Sequence, residues 1–225
     1  MAEAAPEMVR AKLWDRPTRL SHWLIVAFFA ASWITAELRQ MEWHRWSGYA
    51  MLGVVIFRLY WGVAGGDSAR FASFLKGPRA TLAYAKTLPD RNSPGVPGHN
   101  PVGAWSVVAM LAILLAHCAF GLFAVDIDGL ESGPLSHLVD FDTGRTFAGF
   151  HELSFRALYI LAGLHVAAVA FYLVYKRQNL VGAMITGRQR FAADPGLRFA
   201  SVWKFLVGVA AAAAIAWFVA KGLKL

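Results

Sequence analysis

Five stretches of this chain are apolar for long enough to cross a lipid bilayer, and that limits its fold more than any other property. They fall at about 20–38, 44–64, 102–124, 149–175 and 202–220. A helix rises about 1.5 Å per residue, so about 20 residues cover the hydrocarbon core. No water in that core satisfies backbone amides, which leaves the α-helix as the form of each span. Composition agrees: 57% of residues are hydrophobic and 16% charged, against about a quarter charged in soluble domains. The expected fold class is all-α, an integral membrane helical bundle. Residues 1–190 are expected to form a four-helix membrane domain, and 191–225 a C-terminal linker and fifth transmembrane helix. The first twenty residues carry Glu3, Glu7, Arg10, Lys12, Asp15, Arg16 and Arg19 and lack an early apolar run, so no cleavable leader is expected.

The basic residues give the orientation. With the N-terminus inside, fifteen Lys and Arg lie in inner segments and five in outer ones, while Arg58 and Arg156 fall within spans. The outer loop 125–147 is acidic instead, with Asp126, Asp128, Glu131, Asp140 and Asp142. The net charge of +8 is thus sorted by membrane side, and nucleic acid is not needed to explain it. The inner loop 65–101 is rich in Gly and Pro, ends in SPGVPGHNP, and is expected to hold a short interfacial helix at 78–88. Trp43, Trp46, Trp61, Trp105 and Trp203 sit near span ends, where interfacial aromatics belong.

Histidines carry the chemistry. His151 and His165 are fourteen residues apart in the fourth span, which is about four turns and roughly 21 Å on nearly one helix face. Ionisable groups at membrane depth are costly and usually functional. With the N-terminus inside, His22 lies near the inner surface and His44 near the outer one. His151 then matches His44 in depth, and His165 matches His22. Each pair can supply two axial imidazoles to one iron between facing helices. The plain alternative for any single histidine is a hydrogen bond to a neighbouring helix. His117 has no partner at its depth and reads as a packing or proton-path residue; His137, in the acidic loop, reads as solvated or a reserve ligand. The single cysteine, Cys118, excludes an internal disulfide and a Cys-x-x-Cys-His attachment, so a haem here would be non-covalent, of b type.

Several segments resemble the bacterial cytochrome b561 and nickel-iron hydrogenase b-type cytochrome family. They are WDRPTRLSHW at 14–23, HRWSGYAMLGVVIFRLYWG at 44–62, RFASFLKGPRATLAY at 70–84, GHNPVGAWSV at 98–107, the His-x13-His helix and VGAMITGR at 181–188. The resemblance implies a multi-pass protein of the bacterial inner membrane with a cytoplasmic N-terminus. It implies two b haems on four histidines, matched here by His22, His44, His151 and His165. It also implies electron exchange between a quinone pool and a partner, either a c-type cytochrome or a catalytic redox subunit. Some short members oxidise superoxide and reduce quinone, which gives a stand-alone enzyme as the second reading. A small transporter relaying protons through its histidines, without haem, is a third reading of another class.

Haem propionates need cationic or hydrogen-bonding partners. Arg19 lies one turn before His22; Arg45 follows His44; Arg58 and Arg156 lie within spans. Arg19 and Arg45 are equally explained as positive-inside or snorkelling residues, and Arg156 as an ion-pair partner of Glu152. Gly48, Gly53, Gly121 and Gly163 admit either a macrocycle or a helix. Phe28, Phe57 and Tyr159 are candidates to stack on a haem face. For a quinone, His99 and Asn100 lie beside the inner pair; Asn100 reads equally as the cap of the third span.

Overall fold

The computed structural model describes residues 8–91, 93, 96–128 and 131–224; Glu3, Glu7 and, in the SPGVPGHNP turn, Pro94 and Gly95 lie outside the described residues. Among the described residues five helices are long and apolar enough to cross a membrane: α1 (Arg16–Glu37), α2 (Met41–Ala64), α5 (Pro101–Phe123), α6 (Phe141–Val174) and α8 (Val202–Ala220). Between them lie α3 (Phe71–Phe74), α4 (Pro78–Ala85), α7 (Leu180–Thr186) and a two-stranded antiparallel ribbon, β1 (Val9–Lys12) with β2 (Arg188–Phe191). Among the described residues the ribbon is the one departure from an all-α fold.

Local chemistry explains the boundaries. The Asp15 carboxylate accepts from the Thr18 N–H at 2.8 Å and caps α1, with Pro17 in the first turn, where no amide is needed. Asn100 caps α5 in the same way through the Gly103 N–H at 2.8 Å, ahead of Pro101. Asp140 caps α6, so that helix begins eight residues before its apolar stretch. The added turns are held by Phe147, which packs on Phe120 and Phe123 of α5. Gly187 ends α7 with φ +76°, and its carbonyl accepts from the Leu13 and Trp14 N–H groups, which starts the ribbon.

The long helices form two antiparallel pairs, α1 with α2 and α5 with α6, joined by contact between α2 and α5. α8 lies along another side of α2, where a Cβ at Gly53 would stand 3.4 Å from Ala216 and Gly208 leaves room for Tyr60. Gly53 is therefore a helix-packing glycine. Met51, Val55, Leu114 and Leu158 form the apolar centre, with Phe28 and Phe29 packed against it. α6 is not closely packed on α1 or α2; ring side chains bridge the gap, among them Phe29 on Phe155 and Trp33 on Tyr159. This slot divides the bundle.

Two residues read from the sequence as surface groups are core groups. Trp61, expected at the interface, is 1% exposed and donates its indole N–H to the second oxygen of Asp15 at 3.0 Å. It stacks on Phe57, which faces α8 rather than the slot. Lys176, counted among inner cations, is buried; its ammonium donates to the Thr87 and Asp90 carbonyls and to Ser93 Oγ. It thereby fastens the segment after α4 to the end of α6.

Trp61→Phe should destabilise the protein by about 1–3 kcal/mol, because it leaves one oxygen of a buried carboxylate without a donor. Thermal unfolding in detergent checks this. A midpoint equal to that of the parent would show that the Asp15–Trp61 bond carries no weight.

Candidate haem centres

Both histidine pairs matched by depth face each other across the slot. His22 of α1 and His165 of α6 have ring centres 6.3 Å apart; His44 of α2 and His151 of α6 are 6.1 Å apart. Two imidazoles bound trans to one metal, with bonds of about 2 Å, place their ring centres about 6 Å apart. Direct ring stacking would bring them much closer. Among the described residues no group of three or more His, Cys, Asp or Glu converges on one point. A bare ion would lack ligands there, whereas a macrocycle brings its own four nitrogens.

The nitrogens not needed for a metal are arranged unequally. His44 Nδ1–H donates to the Ser32 carbonyl and His151 Nδ1–H to the His117 carbonyl, each at 2.9 Å. A carbonyl only accepts, so Nδ1 carries a proton in both rings, and the neutral form of each then presents Nε2 as its lone-pair nitrogen for a metal. His22 Nδ1 is buried with no hydrogen-bond partner among the described residues. Gly121 is shaped to the second pair, since a Cβ there would meet the His151 ring at 2.8 Å. Gly48 and Gly163 have open space where a Cβ would point.

His117 is the main correction to the depth reading. Its ring lies on His151 at 3.9 Å with an 11° angle between planes, and its Nδ1 is 2.9 Å from Ser154 Oγ. Because α6 starts early, His151 lies well inside the helix rather than at its beginning, level with His117. His137 remains exposed and hydrogen-bonds the Pro134 carbonyl.

The cations divide sharply. Arg19 donates to the Met184 and Ile185 carbonyls at the end of α7; Arg45 pairs with Glu131; Arg156, 69% exposed, pairs with Glu152 at 2.5 Å. Phe28 packs in the apolar centre, and Tyr159 is exposed against Trp33. Of these four arginines Arg58 is the buried one, at 5% exposure, over the Phe71 ring and donating to the Ala69 carbonyl at 3.5 Å. No carboxylate among the described residues lies at ion-pair distance from it.

Beside this end, His99 packs between Trp14 and Phe74 and lines a cavity of about 210 Å³ with Ser68, Ser73, Lys76 and Leu197. His99 Nδ1 and Ser68 Oγ are both buried without a partner among the described residues. Ser68 carried no sequence signal, being one of several small polar residues in a Gly-rich loop. Asn100 does not line the cavity: its oxygen caps α5 and its nitrogen donates to the Tyr172 hydroxyl at 2.9 Å.

With this geometry in hand, comparison with protein families is decisive. The model of the family described as prokaryotic cytochrome b561 matches residues 13–187. The chain belongs to that family, a class of four-helix membrane bundles. It is thus a multi-pass membrane b-type cytochrome of electron transfer, with b haem as its implied group. No curated protein matched the chain, and no solved structure did.

Burial, with the charge of Arg58 adding to it, pushes the His99 imidazole down to about 3. Between that value and the ordinary 6.5 the unfolded chain binds a proton that the folded one refuses. Stability from this group is therefore complete at neutral pH and lost as the pH falls through that window. His99→Leu should lose less thermal stability than the parent between about pH 7 and about pH 4.5. Equal acid sensitivity would show that the ring accepts a proton in place.

Proposed function

We propose that the chain binds two b haems, one between His22 and His165 and one between His44 and His151, and carries electrons across the bacterial inner membrane between quinone and a partner at the outer face. The observation that carries this reading is the ring separation of 6.3 Å and 6.1 Å in the two pairs. A haem ligated by two histidines supplies reversible one-electron chemistry and leaves no open position for bond-making at iron.

The chain's own residues do the rest. The basic loops put the ribbon end, with His22 and His165, on the cytoplasmic side. Arg58 is the cation best suited to a propionate there, because it is buried and no carboxylate among the described residues lies at ion-pair distance from it. Arg19, Arg45 and Arg156 are engaged elsewhere and could serve only by exchanging partners. The cavity at His99 has mostly apolar walls, with Asp67 and Lys76 among its polar lining, and its His99 and Ser68 keep two polar atoms without partners among the described residues, which suits a quinone ring with its two carbonyls. His99 and Ser68 would orient that ring; Asn100 would hold the turn that presents His99. The outer partner is a c-type cytochrome or a catalytic redox subunit.

Purified protein should show two low-spin b-type signals in a reduced-minus-oxidised spectrum. His22→Ala and His165→Ala should lose one of them, and His44→Ala and His151→Ala the other. A colourless protein after expression with ample haem would favour a proton-relaying transporter instead. Loss of the same signal in all four variants would break the pairing.

The combined variant Ser68→Ala, His99→Leu should retain both haems yet slow quinol-linked reduction at least about tenfold, the equivalent of one good hydrogen bond. Stopped-flow reduction with a soluble quinol measures it. Unchanged kinetics would remove the cavity from the scheme, and brisk superoxide-dependent reduction would favour the stand-alone enzyme.

A further inference from the structure

The two centres differ in how their histidines are supported. At the His44–His151 end, α5 and α6 are locked by a reciprocal pair of bonds. His151 Nδ1–H donates to the His117 carbonyl at 2.9 Å, and His117 Nδ1–H donates to the His151 carbonyl at 3.1 Å. Ser154 Oγ lies 2.9 Å from His117 Nδ1, and its own proton goes to the His151 carbonyl, also at 2.9 Å. The two rings are parallel at 3.9 Å. One turn further along α5, Gly121 clears the edge of the His151 ring. His117 and Gly121 thus form a fitted slot for one imidazole. His117 is not itself opposed across the slot by a second free imidazole, because it lies flat on His151.

At the other end the support is different. His22 Nδ1 has no acceptor among the described residues.

An imidazole that donates its second N–H is a more basic ligand, and it favours the more positive, oxidised iron. Both ligands of the His44–His151 centre donate in this way, whereas His22 of the other centre has no acceptor among the described residues. We propose that His117 is a positioning residue that fixes His151 as a hydrogen-bond-donating ligand and so holds the His44–His151 centre at a lower reduction potential than the His22–His165 centre. An electron delivered at the acidic-loop end then runs downhill toward the end that holds the His99 cavity. This inference rests on the two-haem reading.

The test is a redox titration of the holoprotein in detergent, followed by absorbance, with the waves assigned through His44→Ala and His22→Ala. His117→Phe keeps a flat ring but removes the N–H; His117→Asn restores a donor near the same place. In the parent, the His44–His151 wave should be the lower. His117→Phe should shift that wave alone upward by about tenfold in its reduction equilibrium, about 59 mV for a one-electron couple. His117→Asn should return most of the shift. Should His117→Phe shed that haem while the other stays, the positioning role stands, and Ser154→Ala must then raise the same wave. The inference is overturned by a reversed order of the parent waves, by equal movement of both, or by no movement in a fully loaded variant. Fewer than two low-spin waves in the parent would sink the two-haem reading itself.

Discussion

Facing imidazoles set the spacing of the helices. A histidine side chain in hydrocarbon needs partners for two nitrogens, and no water is there to supply them. In this bundle α6 carries two such rings about four turns apart, and each looks across a gap at a ring on a different helix, α1 or α2. The gap stays open because α6 does not close on that pair; α5 takes the close packing instead. The apolar centre of Met51, Val55, Leu114 and Leu158 fills the level between the rings. The fold thus amounts to a close-packed frame around a slot whose width matches two metal-bound imidazoles.

Much of that frame was legible in the residues. Apolar length placed four of the five spans to within a few positions, α6 starting eight residues early, and caps such as Asp15 and Asn100 stand where polar residues precede an apolar run. The pairing of histidines by depth follows from counting along helices. What counting misses is how far a helix extends past its apolar stretch. The Asp140 cap lengthens α6 and brings His151 against His117, a contact that span edges concealed. Trp61 and Lys176 were hidden for a related reason. A residue type that prefers the interface turns inward where a buried carboxylate or a cluster of carbonyls awaits it, and only tertiary contact reveals that.

The polar residues also separate into two sorts once their partners are known. Arg19, Arg45 and Arg156 are satisfied by carbonyls or carboxylates, and their sequence positions beside histidines gave no sign of it. Thr18, His22, His99 and Ser68 each keep a buried polar atom without a partner among the described residues. Unsatisfied polar atoms in native proteins are few, and each asks for an explanation. Here they gather at one end of the bundle, where His99 and Ser68 line a cavity.

The Asp15–Trp61 bond and the Lys176 clamp were described as stabilising contacts, yet both fasten the ends of helices that carry His22 and His165. One ties the start of α1 to the end of α2, and the other ties the end of α6 to the segment after α4. Long-range electron hopping is fastest when the surroundings shift least as charge arrives, since polar groups already in place need no rearrangement. Cross-bracing at these ends keeps the scaffold stiff, so that a passing charge meets dipoles already aligned to receive it.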